Sequence, residues 1–337
     1  MSDAPVAINE IILISPEKRK LKEQMQLKDK LPLFYNETET ALKATEAYIE
    51  EALVSDNDII NEAALYLLKS GGKRIRPGLL LLAGHCGEYD EKKLIPFAAA
   101  IEIIHMASLV HDDIVDQAPL RRGNPTIVAK WNLDVALYTG NFMLSKAIEL
   151  AASYGDKTIV DIAYFTAAAM CRGEFAQMKS INAPDFRTDT YLIQVKRKTA
   201  YLLSAACEMG AYLSKTETKT MAALKKYGEY LGMAFQITDD ILDYRTDNEN
   251  FGKTAGNDIS EGLATLPLIY TWQDKSNRAL IKQVFANDKK TKREIDAVIR
   301  AVLVSGGDKQ AAKIAKRYIA KAKKSLSPIN DPKTKAC

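Results

Sequence analysis

The chain has little cysteine: Cys86, Cys171, Cys207 and Cys337 are all it carries, with no CxxC or related spacing among them. That argues against a disulfide framework or a thiolate metal site, and the three in apolar segments read as reduced core side chains. Histidine is scarcer still, with only His85, His105 and His111. The formal net charge is +4 over 337 residues, too small to argue for nucleic acid as a partner. No uncharged apolar run approaches the roughly 18 residues of a membrane span, and no signal-peptide pattern opens the sequence. A soluble cytoplasmic protein is expected.

Strand alternation and recurring hairpin dipeptides are also lacking. Apolar residues make up 47% and charged residues 27%, enough of each for a buried core and a solvated surface. The apolar positions repeat at helical spacing over Ala41–Leu53, Ile60–Leu68, Leu79–Cys86, Phe97–Val115, Val135–Ala152, Ile159–Met178, Tyr191–Leu213 and Leu224–Tyr244. Breakers fall at Gly71-Gly72, Pro77, Pro119, Gly123–Pro125 and Pro184. The expectation is an all-α protein: a polar peripheral segment over 1–40, one large helical domain over 41–325 and a short tail over 326–337. Basic residues gather near Lys18–Lys30 and Lys313–Lys324, where a solvated helical face is the plain reading.

Two of these helices carry polar stripes on apolar bodies. Glu102, His105, Ser108 and Asp112 recur at steps of three and four, and so do Glu229, Gln236, Asp239, Asp240 and Asp243 at helical intervals. A buried polar stripe is costly unless it lines a solvated cavity or binds something charged. Asp112-Asp113-Ile114-Val115-Asp116 and Asp239-Asp240-Ile241-Leu242-Asp243 share one internal spacing, in which the first and last carboxylates lie on one helix face. A lone cluster of this kind is often a solvated helix end. Two of them, each ending an apolar helix, point instead to hard cations bound through oxygen, of which Mg²⁺ bridging to phosphate is the natural case. Gly71-Gly72-Lys73-Arg74-Ile75-Arg76-Pro77 adds a flexible basic turn, and Arg121, Arg122, Lys198 and Lys253 add cations. Two acidic clusters and several cations suit two separate diphosphates.

The ordered set GGKRIRP, HMASLVHDDIVD, PLRRGNPT, GEFAQ, KRKTA, QITDDILDY and GKTAGNDISEGLATLPL closely resembles the trans-prenyl diphosphate synthases, or polyprenyl synthetases, over about Ala41 to Ala320. The likeness is greatest to catalytic components of bacterial heptaprenyl diphosphate synthases. The resemblance implies a helical bundle around a central apolar elongation cavity. It also implies condensation of isopentenyl diphosphate with an allylic diphosphate such as farnesyl diphosphate, with three Mg²⁺ ions present once substrate is bound. Asp112 and Asp116 would hold metal at the allylic diphosphate, and Asp239, with Asp240 and Asp243 nearby, would serve the third ion. Lys73, Arg76, His105 and Arg122 would hold isopentenyl diphosphate. Arg121, Lys198 and Lys253 would contact the allylic diphosphate, while Thr199 and Gln236 would offer oxygens toward the allylic cation. Charge stabilisation at the leaving group and exclusion of water then do the chemistry, with no nucleophilic triad.

The resemblance further implies a homodimer, or a heteromer with a small regulatory subunit, for which the Phe142–Ala152 helix is a candidate surface. Peripheral membrane association would serve product release. Ala107 and Ser108 stand where short-chain relatives carry bulky aromatics, so a product beyond C20 is expected, C30 to C40 and on closest likeness C35. Two departures limit the carry-over. Leu263 follows Gly262 where many relatives have Lys, and Pro328–Cys337 stands where a final helix and basic tail are usual. Other readings are a shorter-chain synthase, a terpene cyclase, an HD-type metal phosphohydrolase built on His85 and His111-Asp112, and a noncatalytic subunit. The second DDxxD and the basic turn at Lys73 and Arg76 weigh against the cyclase, and the intact acidic motifs against the last.

Overall fold

The structure, a computed structural model, describes residues 33–245 and 255–329. It is 77% helical with 1% strand, an all-α protein. The chain divides into two compact units. Among the described residues, unit A takes 33–167, 202–228 and 326–329, and unit B takes 168–201, 229–245 and 255–325.

Unit A begins with α1 (Leu33–Ala52), α2 (Asp58–Lys69), α3 (Ile75–Gly84) and α4 (Glu91–Val115). Asn57 caps α2 by accepting from the amides of Ile59 and Ile60, and Asp90 caps α4 through Lys92. Pro77, a breaker by its sequence, lies in the first turn of α3, where its missing N–H would have no intrahelical acceptor. α4 is the unit's axis. Phe97, Ala98, Ala99, Ile101 and Ile103 are all fully buried, and α1, α3 and α6 (Leu133–Ala152) pack on it. By length and composition α4 would suffice to cross a membrane, yet most of its apolar stretch is buried in protein. It is a core helix.

Between α4 and α6 lies an element absent from the sequence reading, a two-stranded hairpin in which Leu120 pairs with Pro125 and Arg121 with Asn124. Arg122 and Gly123 turn it with φ of 54° and 82°, the doubly left-handed turn that tight hairpins favour. The usual Asn-Gly signal is missing, so nothing local announced it. Thr126 ties the hairpin's base to Ala118 and Pro119, then caps the one-turn helix α5 (Ile127–Lys130).

α7 (Lys157–Ser180) begins in unit A and ends in unit B. In unit B, α8 (Thr188–Val195) runs into a π-turn, Lys196–Ala200, before α9 (Tyr201–Leu213) continues in unit A. α10 (Thr218–Leu242) crosses in the other direction and enters unit B at Glu229. α11 (Asn257–Ser260), α12 (Leu266–Gln273), α13 (Arg278–Phe285), α14 (Lys292–Ser305) and α15 (Gly307–Ser325) complete unit B. One of its cores joins Tyr191, Val195, Met233, Ile237, Leu266 and Ala311, and a second joins Tyr244, Ile259, Leu268, Ile281 and Val298. Burial of such side chains contributes about 1.5–3 kcal/mol each, which fixes the ends of α8 and α10 where the polar residues sit.

Candidate active site

In unit A the basic turn and the end of α4 form an anion cradle. Arg74 takes a left-handed φ of 45°, a strain of about 1–3 kcal/mol for a non-glycine residue. Three contacts hold it there: Nε donates to Glu46 at 2.7 Å, one terminal nitrogen to buried Glu102 at 3.0 Å and the other to the Leu68 carbonyl at 2.8 Å. Arg74 is thus a strut. Arg76, two residues on, has a buried Nε with no partner, and burial together with Arg122 draws its guanidinium below the usual range. Arg122, also left-handed, donates to the carbonyl of Gly71. Gly72 lies between the two struts, and a Cβ there would sit 3.1 Å from a guanidinium nitrogen of both Arg74 and Arg122.

His105 closes the cradle. Burial, and then Arg76, Arg122, Arg121 and Arg74, hold its imidazole well below its ordinary value of 6.5, so it is neutral. Of the four guanidinium groups near this neutral ring, Arg74 pairs with Glu46 and Glu102 and Arg121 with Asp113, while the buried Nε of Arg76 has no partner. A diphosphate would supply one. Lys73 is exposed at the rim of the same turn. The cradle holds Arg76, His105 and Arg122, which the resemblance grouped at isopentenyl diphosphate, together with Arg121, which it placed at the allylic diphosphate, and it draws in Arg74, Glu46 and Glu102.

The first acidic cluster ends α4, where Asp116 is the cap and Asp112 lies one turn back, both half-buried. Asp113 turns inward instead. Arg121 grips it with Nε at 2.9 and 3.0 Å and a terminal nitrogen at 2.7 Å. In this structure, which holds no diphosphate, the Arg121 guanidinium faces Asp113.

Unit B carries the other set. Lys198 and Thr199 stand on the π-turn, a backbone irregularity that re-aims side chains and often marks functional sites. Two glycines admit it. A Cβ on Gly173 would lie 2.9 Å from the Lys198 amide nitrogen, and one on Gly232 would lie 2.6 Å from the Ala200 Cα. Lys198 pairs with Glu174 at 2.7 Å, a partner within the GEFAQ segment to which no role had been given. Thr199 donates to Oε1 of Gln236 at 2.7 Å, and Nε2 of Gln236 donates to Asp240 at 2.8 Å.

The second acidic cluster is split by burial. Asp239 is exposed, Asp240 is buried, and Asp243 accepts from the backbone amides of Asn257 and Asp258 at 3.1 and 2.9 Å. Burial, then the charges of Asp243, Asp240, Glu261 and Asp239, push the Asp258 carboxyl well up, and its Oδ2 is buried without a partner. Asp258 was missed in the sequence because it belongs to no paired motif. Among the described residues no three His, Cys, Asp or Glu side chains converge on one point as a ready-made metal site. The donors are all hard carboxylates, and in unit B they repel one another without a cation. That fits Mg²⁺ held partly by water and phosphate.

Lys253 lies outside the described residues. Ala107 is buried, and the Ser108 hydroxyl donates to the His105 carbonyl of its own helix at 2.8 Å. His85 stacks on Tyr89 at 3.9 Å, and His111 packs on α6, where a Cβ on Gly140 would meet its ring at 2.5 Å. Neither histidine is placed for a His-ligated hydrolytic metal.

A helical protein with a guanidinium cradle on one unit and a crowded set of carboxylates on the other defines a class, enzymes that handle diphosphates with the help of divalent cations. Comparison narrows it. Residues 57–302 match the family model described as polyprenyl synthetase. A relative from Geobacillus stearothermophilus, heptaprenyl diphosphate synthase component 2, is 40% identical over 304 residues, 90% of this chain and 94% of its own. The heptaprenyl diphosphate synthase of Staphylococcus aureus superposes with a TM-score of 0.84 at 32% identity, covering 89% of this chain and 94% of that one. A polyprenyl synthase from Caulobacter crescentus, solved with calcium and isoprenyl diphosphate, gives 0.84 at 30% identity, covering 90% and 93%. The chain belongs to the polyprenyl synthetase family, and it is a prenyltransferase.

Proposed function

We propose that this enzyme joins isopentenyl diphosphate to an allylic diphosphate, head to tail (1′-4), in a Mg²⁺-dependent synthesis of an all-trans polyprenyl diphosphate. The observation that carries it is the basic cradle of unit A, where Arg74 spans Glu46 and Glu102, Arg122 donates to the Gly71 carbonyl, and the buried Nε of Arg76 has no partner. Lys73, Arg76, His105 and Arg122 bind isopentenyl diphosphate there. Lys198 and Lys253 serve the allylic diphosphate, joined by Arg121 once it exchanges Asp113 for phosphate. Asp112 and Asp116 hold metal at that diphosphate, and Asp239 and Asp243 hold a further ion, three in all with substrate. When bound, the metal draws off the charge that gathers on the departing diphosphate. Thr199 offers its oxygen to the allylic cation, and the apolar helix walls keep water from it.

Product length rests on α4. Ala107 lies five residues before Asp112, about 7.5 Å along the axis, and neither it nor Ser108 is bulky. The growing chain passes that level, and with relatives named for heptaprenyl synthesis we propose a C35 product within a C30–C40 range, destined for isoprenoid quinone side chains. The name component 2 supports a dissimilar small subunit. A homodimer is supported by α6, where Leu133, Leu137 and Ile148 are exposed on one side, N-terminal to and overlapping the expected Phe142–Ala152 surface. The setting we propose is cytoplasmic.

Purified protein incubated with farnesyl diphosphate, isopentenyl diphosphate and Mg²⁺ tests the reading, with product length taken by mass spectrometry. Polyprenyl diphosphate of about seven units is expected, and no condensation with or without an added small subunit overturns the assignment. Ala107→Tyr should shift the main product to C15–C20 while the first condensation proceeds. Wild-type product that already stops at C20 would show the pocket floor to be blocked elsewhere.

A further inference from the structure

The second acidic cluster is served by a residue that its own spelling does not contain. Tyr191 on α8 is 4% exposed, and its phenol donates to Oδ2 of Asp240 at 2.5 Å. Gln236, one helical turn before Asp240 on α10, donates from Nε2 to Oδ1 at 2.8 Å. Both oxygens of Asp240 therefore accept, which fixes the Gln236 amide with nitrogen toward Asp240 and oxygen away from it. That oxygen accepts the Thr199 proton at 2.7 Å. With Asp240 ionised, every proton in the chain Thr199, Gln236, Asp240, Tyr191 has one assignment, and Thr199 has only lone pairs left to present.

The backbone around the chain is equally constrained. Thr199 stands on the π-turn, against which Gly173 and Gly232 allow backbone contact. With the main chain clamped, the freedom that remains is rotation of the hydroxyl and inversion of the amide. Inverting the amide would aim a proton instead of a lone pair from Thr199. A positive dipole end facing a developing cation opposes ionisation, and a negative end favours it.

We propose that Tyr191 and Asp240 are positioning residues that lock the Gln236 amide, and through it the Thr199 hydroxyl, so that oxygen lone pairs face the allylic cation. On this assignment Asp240 spends both oxygens on orientation and leaves coordination to Asp239 and Asp243, although its motif suggested a metal ligand. Networks of this kind also polarise cumulatively, since a carboxylate at one end makes the distal oxygen more negative. The inference rests on the prenyl transfer reading above.

Steady-state kinetics of Tyr191→Phe, Thr199→Val, Thr199→Ser and the Tyr191→Phe/Thr199→Val double variant test it. Tyr191→Phe should lower kcat about tenfold with KM for both diphosphates within about twofold, the pattern of an interaction made in the transition state. In the Thr199→Val background the same change should cost nothing further, because the group it orients is gone. In Thr199→Ser, which keeps the hydroxyl, the tenfold loss should return. Binding without turnover gives the independent reading. By calorimetry, an allylic diphosphate analogue with an ammonium centre at the ionising carbon should weaken about tenfold in Tyr191→Phe, while an uncharged thiolo-diphosphate analogue should bind as before. Additive kinetic losses, or equal weakening of both analogues, would reduce Tyr191 to a packing role and overturn the proposal. Should Tyr191→Phe lose its cooperative melt, Asp240→Asn takes its place in both assays, since an amide cannot accept from both neighbours through two oxygens. A wild-type enzyme inactive on these substrates would instead sink the parent reading.

Discussion

The two DDxxD segments are spelled alike and built differently. In unit A the middle carboxylate, Asp113, is gripped by a full positive charge, the fork of Arg121. In unit B the middle carboxylate, Asp240, is held by two neutral donors, Tyr191 and Gln236. The first cluster is therefore partly compensated within the protein. The second collects Asp239, Asp240, Asp243, Asp258 and Glu261 with each raising another, and burial pushes Asp240 and Asp258 upward. An identical motif thus says where metal-binding carboxylates stand, and the neighbours say how much charge the protein leaves for a cation to neutralise.

The largest effect should separate outer from middle positions. Asp112→Ala or Asp239→Ala should lower kcat by about a thousandfold, with helical content by circular dichroism unchanged, because each removes charge stabilisation specific to ionisation. The middle positions should diverge. Asp113→Asn leaves a mostly buried Arg121 without its partner and should cost about 2–3 kcal/mol in denaturant melts. Asp240→Asn removes a carboxyl already disfavoured by burial and strands only a neutral donor, so it should cost less, about 1 kcal/mol, while lowering kcat. Equal stability losses at the two middle positions would erase the distinction.

The pH response should differ in sign between His105 and the second acidic cluster. His105 has its folded value well below 6.5, so as pH falls below 6.5 the unfolded chain takes up a proton that the folded chain refuses, and stability is lost. Asp240 and Asp258 have folded values raised above their ordinary 3.8. As pH falls through the raised values the folded chain takes up protons first, and stability is gained until the unfolded carboxyls titrate near 3.8. In metal-free melts between pH 8 and 5, His105→Gln should therefore remove a destabilising slope and Asp258→Asn a stabilising one. Added Mg²⁺ should flatten the acid-cluster contribution, since it supplies the missing positive charge. Slopes of one sign in both variants would contradict the assignment of charge to His105 and the second acidic cluster.

Much of this could be read in the sequence, for physical reasons that particular residues show. The stripe on α4 was legible because Glu102, His105 and Asp112 repeat at the helical period on an apolar ground, and period is a local property. Both acidic clusters and the basic turn were legible for the same reason. Tyr191 was not, because its partner lies 49 residues away and only tertiary packing joins them. Glu46 looks like an ordinary helix charge, and the partner of Glu102 is hidden, until Arg74, 28 residues from each, adopts a left-handed backbone between them. The hairpin at Arg122-Gly123 and the π-turn at Lys196–Ala200 are held by contacts across the fold, and their composition gives no sign of either.

The smallest effects concern the glycines that let each unit close on its site. Neither Gly232 nor Gly72 has the left-handed backbone that would itself demand glycine, so space alone decides. A Cβ at Gly232 would meet Ala200 Cα at 2.6 Å and Cβ at 3.0 Å, and both belong to a clamped turn that cannot yield without moving α10. A Cβ at Gly72 would meet only the ends of two long side chains, at 3.1 Å each, and guanidinium groups can swing by that margin. Gly232→Ala should therefore cost about 1–3 kcal/mol of stability and lower kcat, because it displaces Thr199 from Gln236. Gly72→Ala should leave the melt within about 0.5 kcal/mol of wild type and raise only the KM for isopentenyl diphosphate, by about two- to fivefold, as Arg122 shifts. Denaturant melts and substrate titrations of the two variants separate these outcomes. If Gly72→Ala proved the more damaging, the cradle of unit A would have to be the stiffer site, and the clamped π-turn of unit B the more adaptable one.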